Sequence, residues 1–250
     1  MKIIAEIGLN HCGSVRRAQN LLTGLCDTLV DTISFQIRES SFYDKSHPRK
    51  SHLPLSFYKE AAELIHNSNK NMCIAIADPG LVNKINDIGI DSWKTLSWDL
   101  NNENLHSSLV KTGKKIYLST GISNIQEITK ISNRMQNIEF IHTQLNDSIE
   151  STNLKAIKTI KDNTSVNTAF GLHCNNHDVL YLALAFKPSA LFFYVKDNTN
   201  GEHPDDLHAI PLNLIDDTVK KIRTLEKSVG DGKKEKSQNT LHPEDDDICK

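Results

Sequence analysis

The feature that most constrains this chain is a repeat of pattern. Short apolar, β-branched runs recur eight times, and a segment of helical periodicity follows each one. The runs fall near residues 2–7, 32–36, 72–77, 92–97, 115–119, 138–143, 166–172 and 190–196. The helical patterns fall near 15–29, 55–69, 80–88, 103–112, 124–136, 151–161, 177–186 and 211–229. In segment 55–69, Phe57, Ala61, Leu64 and Ile65 share one face at the 3.6-residue period. Pro79-Gly80 and Gly113 mark turns between elements. Strict βα alternation with mostly short connections requires parallel strands. Eight such units in 250 residues favour closure into a (β/α)8 barrel over an open doubly wound sheet. No G-x-G-x-x-G follows the first run, which lowers the dinucleotide-binding alternative. The expected fold class is therefore α/β, a (β/α)8 TIM barrel over residues 1–230, with a polar tail over 231–250 of disordered composition.

Composition narrows the function classes. A net charge of -2, with no basic patch interleaved with aromatics, argues against a nucleic-acid partner. The 5 cysteines are scattered and form no C-x-x-C pair, so neither a disulfide framework nor a zinc ribbon is expected. A reducing cytoplasm fits that usage. The first apolar run contains Glu6 and is too short and too polar for a signal peptide or a membrane span.

The stretch Ile3–Ser14 reads I-I-A-E-I-G-L-N-H-C-G-S. It describes a strand that delivers a carboxylate, Glu6, to its C-terminal tip, followed by a loop of Gly, Asn, His and Ser. In a (β/α)8 barrel that end of the strands carries the chemistry. Lys94, Ser97 and Ser119 also fall at strand ends, where a lysine charge and serine hydroxyls suit a phosphate or carboxylate. Taken alone, each serine reads as an ordinary loop-capping hydroxyl, and Glu6 can also be read as a barrel-interior acid paired with a lysine such as Lys94. The one long βα loop, 38–54, is basic, with Arg38, Lys45, His47, Arg49, Lys50 and His52. It reads as a lid or binding loop, or as a solvated insertion.

The opening segment resembles the start of the sialic acid synthase family, the N-acetylneuraminate, legionaminate and pseudaminate synthases, whose loop reads N-H-N-G-S. Further matches follow in order: S-W-K-T-L-S at 92–97, K-T-G-K-K-I-Y-L-S-T-G-I-S at 111–123, N-L-K-A-I at 153–157 and G-D-G-K-K at 230–234. The resemblance implies a barrel enzyme, a transferase forming a carbon–carbon bond between phosphoenolpyruvate and an N-acetylated amino sugar, in surface-glycan biosynthesis. It implies Glu6 as the catalytic carboxylate, Lys94, Ser97 and Ser119 as phosphoenolpyruvate-binding, and His142 and Asp205 as sugar-binding. It implies a divalent metal, Mn or Mg, as cofactor, and a homo-oligomer or a pairing with a complete synthase. The family's small C-terminal antifreeze-like domain is expected to be missing, because the chain stops about where that domain would begin.

The chain departs from the family pattern at specific places. Ser34 stands where the second strand carries a lysine, and Ala75 where the third carries a threonine. The two metal histidines align with Asn175 and Val195, and an acid of the eighth strand with Phe193. Valine has no lone pair to offer and asparagine is a poor ligand for a borderline ion. No metal site of the family type is therefore expected. His11, His142 and His173 are the candidates for relocated ligands, the alternative being polar loop histidines without metal. His173 lies two residues before Asn175 and so shares its facing. The different-class reading is a pseudoenzyme, a barrel that keeps an anion pocket and serves as a binding subunit. A divergent aldolase would have to use Lys94 or Lys196, since Ser34 removes the lysine of the second strand.

Overall fold

The computed structural model describes residues 1–44, 52–197 and 203–235. Lys45, His47, Arg49 and Lys50 of the long loop, and the tail beyond 235, lie outside the described residues. Eight strands run in chain order: β1 (Lys2–Gly8), β2 (Thr32–Ile37), β3 (Asn71–Ile76), β4 (Ser92–Thr95), β5 (Lys115–Ser119), β6 (Ile138–His142), β7 (Thr168–Gly171) and β8 (Ala190–Lys196). Each pairs in parallel with its sequence neighbours, and β1 pairs with β8 to close the ring. The fold is a (β/α)8 barrel. The larger connecting helices are α1 (Val15–Cys26), α3 (Leu55–Asn67), α5 (Glu103–Val110), α6 (Ile125–Ser132), α7 (Ala156–Thr164) and α9 (Ile215–Ser228). Shorter ones are α2 (Ser40–Asp44), α4 (Val82–Asn86) and α8 (Val179–Ala183).

Two helix starts have a clear local cause in a side-chain cap. The Ser14 hydroxyl accepts from the Arg17 amide at the start of α1. Asn124 and Glu127 form a reciprocal capping box at the start of α6. These side chains satisfy amides that the first helical turn leaves without partners. Two elements had no sequence expectation: α2, inside the long loop, and β9 (Ile210–Pro211), which pairs in parallel with the end of β8. The β8–β9 pair draws the segment 203–209 back over the barrel.

Alternation along the strands sorts the core into two sets. Ile4, Cys73, Tyr117, Ile141, Ala169 and Phe192 fill the barrel interior, with Tyr117 and Phe192 edge to face at 5.1 Å. Residues of opposite parity, such as Ile3, Ile33, Phe140 and Phe193, pack outward against the helices. The floor of the interior is polar: Lys115 pairs with Glu139, and the Ser189 hydroxyl donates to Glu139 at 2.6 Å. At the other end the interior opens into a mouth built from the strand tips.

Candidate active site

Glu6 lies on β1 in register with Ser34 of β2 and Tyr194 of β8. All three face inward. Lys94 of β4 reaches across the interior, and its Nζ donates to Oε1 of Glu6 at 2.8 Å and to Oε2 at 2.5 Å. Both residues are buried. The Lys94 ammonium also stands 5.5 Å from the ring centroids of Phe192 and Tyr194. An ammonium has three protons to donate. Two are spent on Glu6, which leaves one for a ligand.

Ser97 and Ser119 meet beside this pair, hydroxyl to hydroxyl at 3.2 Å, and the Gly121 amide donates to the Ser97 hydroxyl at 3.2 Å. Position 121 has no room for a side chain, because a Cβ there would lie 2.7 Å from the Ser97 hydroxyl oxygen. Lys94, Ser97 and Ser119 line one cavity of about 310 Å³ with Arg38, His173 and Asp205. Arg38 is fixed at its rim by a two-point contact with Glu39 and lies over the Phe42 ring at 4.2 Å.

Asp205 arrives from the loop after β8. That loop is tied to the one after β1 through Asn10, which accepts from the Asp205 amide at 3.1 Å and donates to the Val195 carbonyl at 2.8 Å. His203 reinforces the link, with Nδ1 at 2.9 Å from the Asn10 carbonyl and Nε2 at 2.9 Å from Asp197. Burial, with the Glu6 charge second, raises the Asp205 carboxyl to about 7, against the opposing pull of Lys94. The glycine of the β1 tip permits this crowding. Gly8 holds φ +55°, and a Cβ there would stand 2.6 Å from the Tyr194 ring and 3.7 Å from Asp205.

The other expected site residues part company. His142 does not face the mouth: it follows inward-facing Ile141 and so turns toward the helix layer, where Nε2 pairs with the Thr152 carbonyl at 2.9 Å. It therefore does not join Asp205 in the cavity. His11 is fully buried in the β1 loop, with Nδ1 accepting from the Gly13 amide at 3.1 Å and Nε2 without a partner. Burial lowers its pKa to about 4. Only His173 of the three expected histidines lines the cavity, so the trio His11, His142 and His173 does not form. Its neighbour is instead His208, 4.7 Å away between ring centroids, which the sequence reading did not single out. Tyr194 completes that group at 5.6 Å from His173 and 5.3 Å from His208.

The NeuB family model matches residues 27–234 of this chain. The chain belongs to the NeuB family. The family match adds that the barrel is of the sialic acid synthase type. Among individual relatives, the chain is 25% identical to the N,N'-diacetyllegionaminic acid synthase of Campylobacter jejuni, over 95% of this chain and 80% of that one. It is 22% identical to the pseudaminic acid synthase of the same organism, over 96% of this chain and 78% of that one. The N-acetylneuraminic acid synthetase of Leptospira borgpetersenii shares the fold with a TM-score of 0.87 at 20% identity, covering 94% of this chain and 87% of that one.

Against that family, the departures in this chain now have positions. Ser34 faces the interior beside Glu6, with its hydroxyl oxygen buried and without a partner. Ala75 is in register with Lys94 and likewise faces inward. Val195 and Phe193 belong to the outward set, so the residue that β8 presents to the cavity is Tyr194. Asn175 is exposed beyond β7. Neither Asn175 nor Val195 fits a metal ion, the one for its exposure and weak donor, the other for its apolar outward side chain. Lys196 is engaged by Asp206, at 2.7 Å to the carbonyl and 3.1 Å to the carboxylate. Among the described residues no helix is long and apolar enough to cross a membrane.

Proposed function

We propose that this chain is a phosphoenolpyruvate-dependent nonulosonate synthase, joining phosphoenolpyruvate to an N-acetylated amino sugar for surface-glycan biosynthesis in the cytoplasm. The observation that carries the reading is the Glu6–Lys94 pair set beside the Ser97 and Ser119 hydroxyls at the barrel mouth. The synthase names of its relatives support the reaction class.

In this reading the remaining Lys94 proton and the two hydroxyls hold the phosphate and carboxylate of phosphoenolpyruvate, with Arg38 adding positive charge at the rim. The methylene carbon of phosphoenolpyruvate bonds to the aldehyde carbon of the open-chain sugar, whose oxygen takes up a proton. Water adds at the phosphate-bearing carbon, and the carbon–oxygen bond to phosphate then breaks. Glu6 is the carboxylate placed to accept the proton that the water gives up, with Lys94 holding its charge in place. Asp205 offers its carboxyl to a sugar hydroxyl on the opposite wall. A divalent ion, when bound, polarises a carbonyl oxygen. The family positions Asn175 and Val195 do not hold one, so no step here depends on them.

The second reading, a pseudoenzyme that keeps the anion pocket as a binding or pairing subunit, is favoured by Ser34 in place of a phosphate-side lysine. One experiment separates them. Phosphate release from phosphoenolpyruvate is measured with a panel of N-acetylated hexosamines, with and without manganese. Release that depends on a sugar and is lost in Glu6→Gln supports the synthase. Binding of phosphoenolpyruvate without release from any sugar supports the pseudoenzyme.

A further inference from the structure

Arg38 follows β2 at the parity of inward-facing Ser34 and Gln36, and it lines the cavity at the rim. The short helix α2 holds it there. The Tyr43 hydroxyl accepts from the Arg38 amide at 2.9 Å, and the Phe42 ring lies 4.2 Å from the guanidinium. Glu39 accepts from Nε at 3.0 Å and from Nη2 at 2.9 Å. That side-on contact uses two of the five guanidinium protons. The end-on edge, formed by Nη1 and the second Nη2 proton, matches a further pair of oxyanion oxygens. The Arg38 side chain is 17% exposed, so packing limits its freedom. Burial raises the carboxyl of Asp99, in the turn that begins at Ser97, and Asn102 and Arg38 oppose that rise. The guanidinium therefore acts on the side of the mouth where Ser97 stands.

The charge of the ligand makes that edge matter. Phosphoenolpyruvate brings a carboxylate and a phosphate, together roughly two and a half to three negative charges near neutral pH. Among the described residues that line the cavity, Lys94 and Arg38 are the two permanent cations. Buried Glu6 already answers Lys94. His173 adds no charge, because burial, with His208 and Lys94 behind it, lowers its pKa to about 3. Asp147 and Asp205 line the cavity as acids. An anion that enters such a pocket loses its water without compensation unless a second cation meets it. Glu39 does not cancel Arg38 as fully as Glu6 cancels Lys94. It is 40% exposed, and solvent weakens its hold on the guanidinium.

We propose that Arg38 is the phosphate clamp of this mouth, its end-on edge donating two parallel N–H bonds to outer phosphate oxygens of phosphoenolpyruvate. Lys94 and the two serine hydroxyls are left to the carboxylate and the inner phosphate oxygen. This gives the ligand a direction, with phosphate toward β2 and the rim. Phosphate is the group that must leave, and the rim is the side open to solvent. It also gives α2 a task, which is to station Arg38 through Phe42 and Tyr43. The inference rests on the phosphoenolpyruvate reading for its ligand.

The test is calorimetric titration of the full chain with phosphoenolpyruvate and, separately, with inorganic phosphate, no sugar being present. The native chain is compared with Arg38→Gln, Arg38→Lys and Lys111→Gln, the last removing an exposed charge just past α5. Both ligands should bind roughly tenfold more weakly, or worse, in Arg38→Gln. In Arg38→Lys the loss should be roughly three- to tenfold, because an ammonium keeps the charge but cannot make the parallel pair. Lys111→Gln should bind as the native chain does. Circular dichroism and thermal melting confirm that each variant is folded. If Arg38→Gln fails to fold, Arg38→Lys, which keeps a cation beside Glu39, decides alone. Native-like binding in folded Arg38→Gln or Arg38→Lys, or an equal loss in Lys111→Gln, overturns the proposal. Sugar-dependent phosphate release from a chain whose binding ignores Arg38→Gln would do so while leaving the synthase reading standing. Binding of both ligands that depends on Arg38, without release from any sugar, would overturn the synthase reading and leave the clamp standing. A native chain that binds neither ligand overturns both.

Discussion

The ammonium of Lys94 gives two of its three protons to Glu6, and both groups are buried. Breaking such a pair by removing one partner leaves a buried charge unanswered, at a cost of about 3–5 kcal/mol. Lys94→Met should therefore lower stability by about that amount, and adding Glu6→Gln to it should restore much of the loss. Urea denaturation of the two single variants and the double variant measures it. Additive losses would mean that the two groups do not answer each other. The same lysine should decide anion binding. Phosphate or phosphoenolpyruvate is expected to raise the melting temperature of the native chain and of Lys233→Ala, which changes an exposed residue beyond α9, but not of Lys94→Ala. The lost charge-assisted contact corresponds to about 1.5–3 kcal/mol, roughly ten- to a hundredfold in affinity. Equal shifts in all three proteins would confine Lys94 to a structural role.

At the scale of the element, the tip of β1 is set by Gly8. Its φ of +55° disfavours any side chain, and the space a Cβ would need is held by the Tyr194 ring at 2.6 Å. Gly89 supplies a control, with φ +95° and nothing within 4 Å. Gly89→Ala should cost about 1–2 kcal/mol of backbone strain. Gly8→Ala should cost about 1–3 kcal/mol more, because Tyr194 must move as well. Equal losses in denaturation would show that Tyr194 yields freely. The eight strands were legible in the sequence because short runs rich in apolar and β-branched residues recur between turns. α2 and β9 were not, being five and two residues long. Facing was harder to read than position. Strands of a parallel barrel are buried on both sides, so no alternation of polarity shows which residues look inward. Glu139, Phe140, Ile141 and His142 are all buried, and the expectation that His142 enters the mouth had no pattern to correct it. Glu6, Lys94, Ser97 and Ser119 were placed at strand ends, and the structure gathers them into one group. His208 was passed over because its partner His173 is distant in sequence. Its spacing from Asp205, i to i+3 in H-P-D-D-L-H, was the only local signal.

At the scale of the whole molecule, burial makes the barrel sensitive to acid. His11 is fully buried and its pKa falls from 6.5 to about 4. The folded value lies below the unfolded one, so as the pH drops the unfolded chain takes up a proton first. The contribution is therefore complete above about pH 6.5, is lost progressively down to about pH 4, and does not change further below that. The total is on the order of 3 kcal/mol. Denaturation across this range, with chelator present, should show the native chain losing more stability than His11→Gln. Taking the difference between the two curves removes the groups they share, including Asp205, whose raised pKa acts in the opposite sense. Parallel curves would mean that the imidazole is not held neutral.

The ring closes only where β1 meets β8, at Ala5 with Phe193 and Glu6 with Tyr194. A chain still being synthesised has β1 ready from the start but no strand to seal against it until residue 196 has emerged. Until then it presents two unpaired parallel edges, each a template for pairing with another unfinished chain. The pair that joins last is also the pair that sets Tyr194 against Gly8 and brings the 203–208 loop over Lys94. Protection from aggregation and completion of the mouth are thus one event in the life of this protein. A truncation that prevents one prevents both.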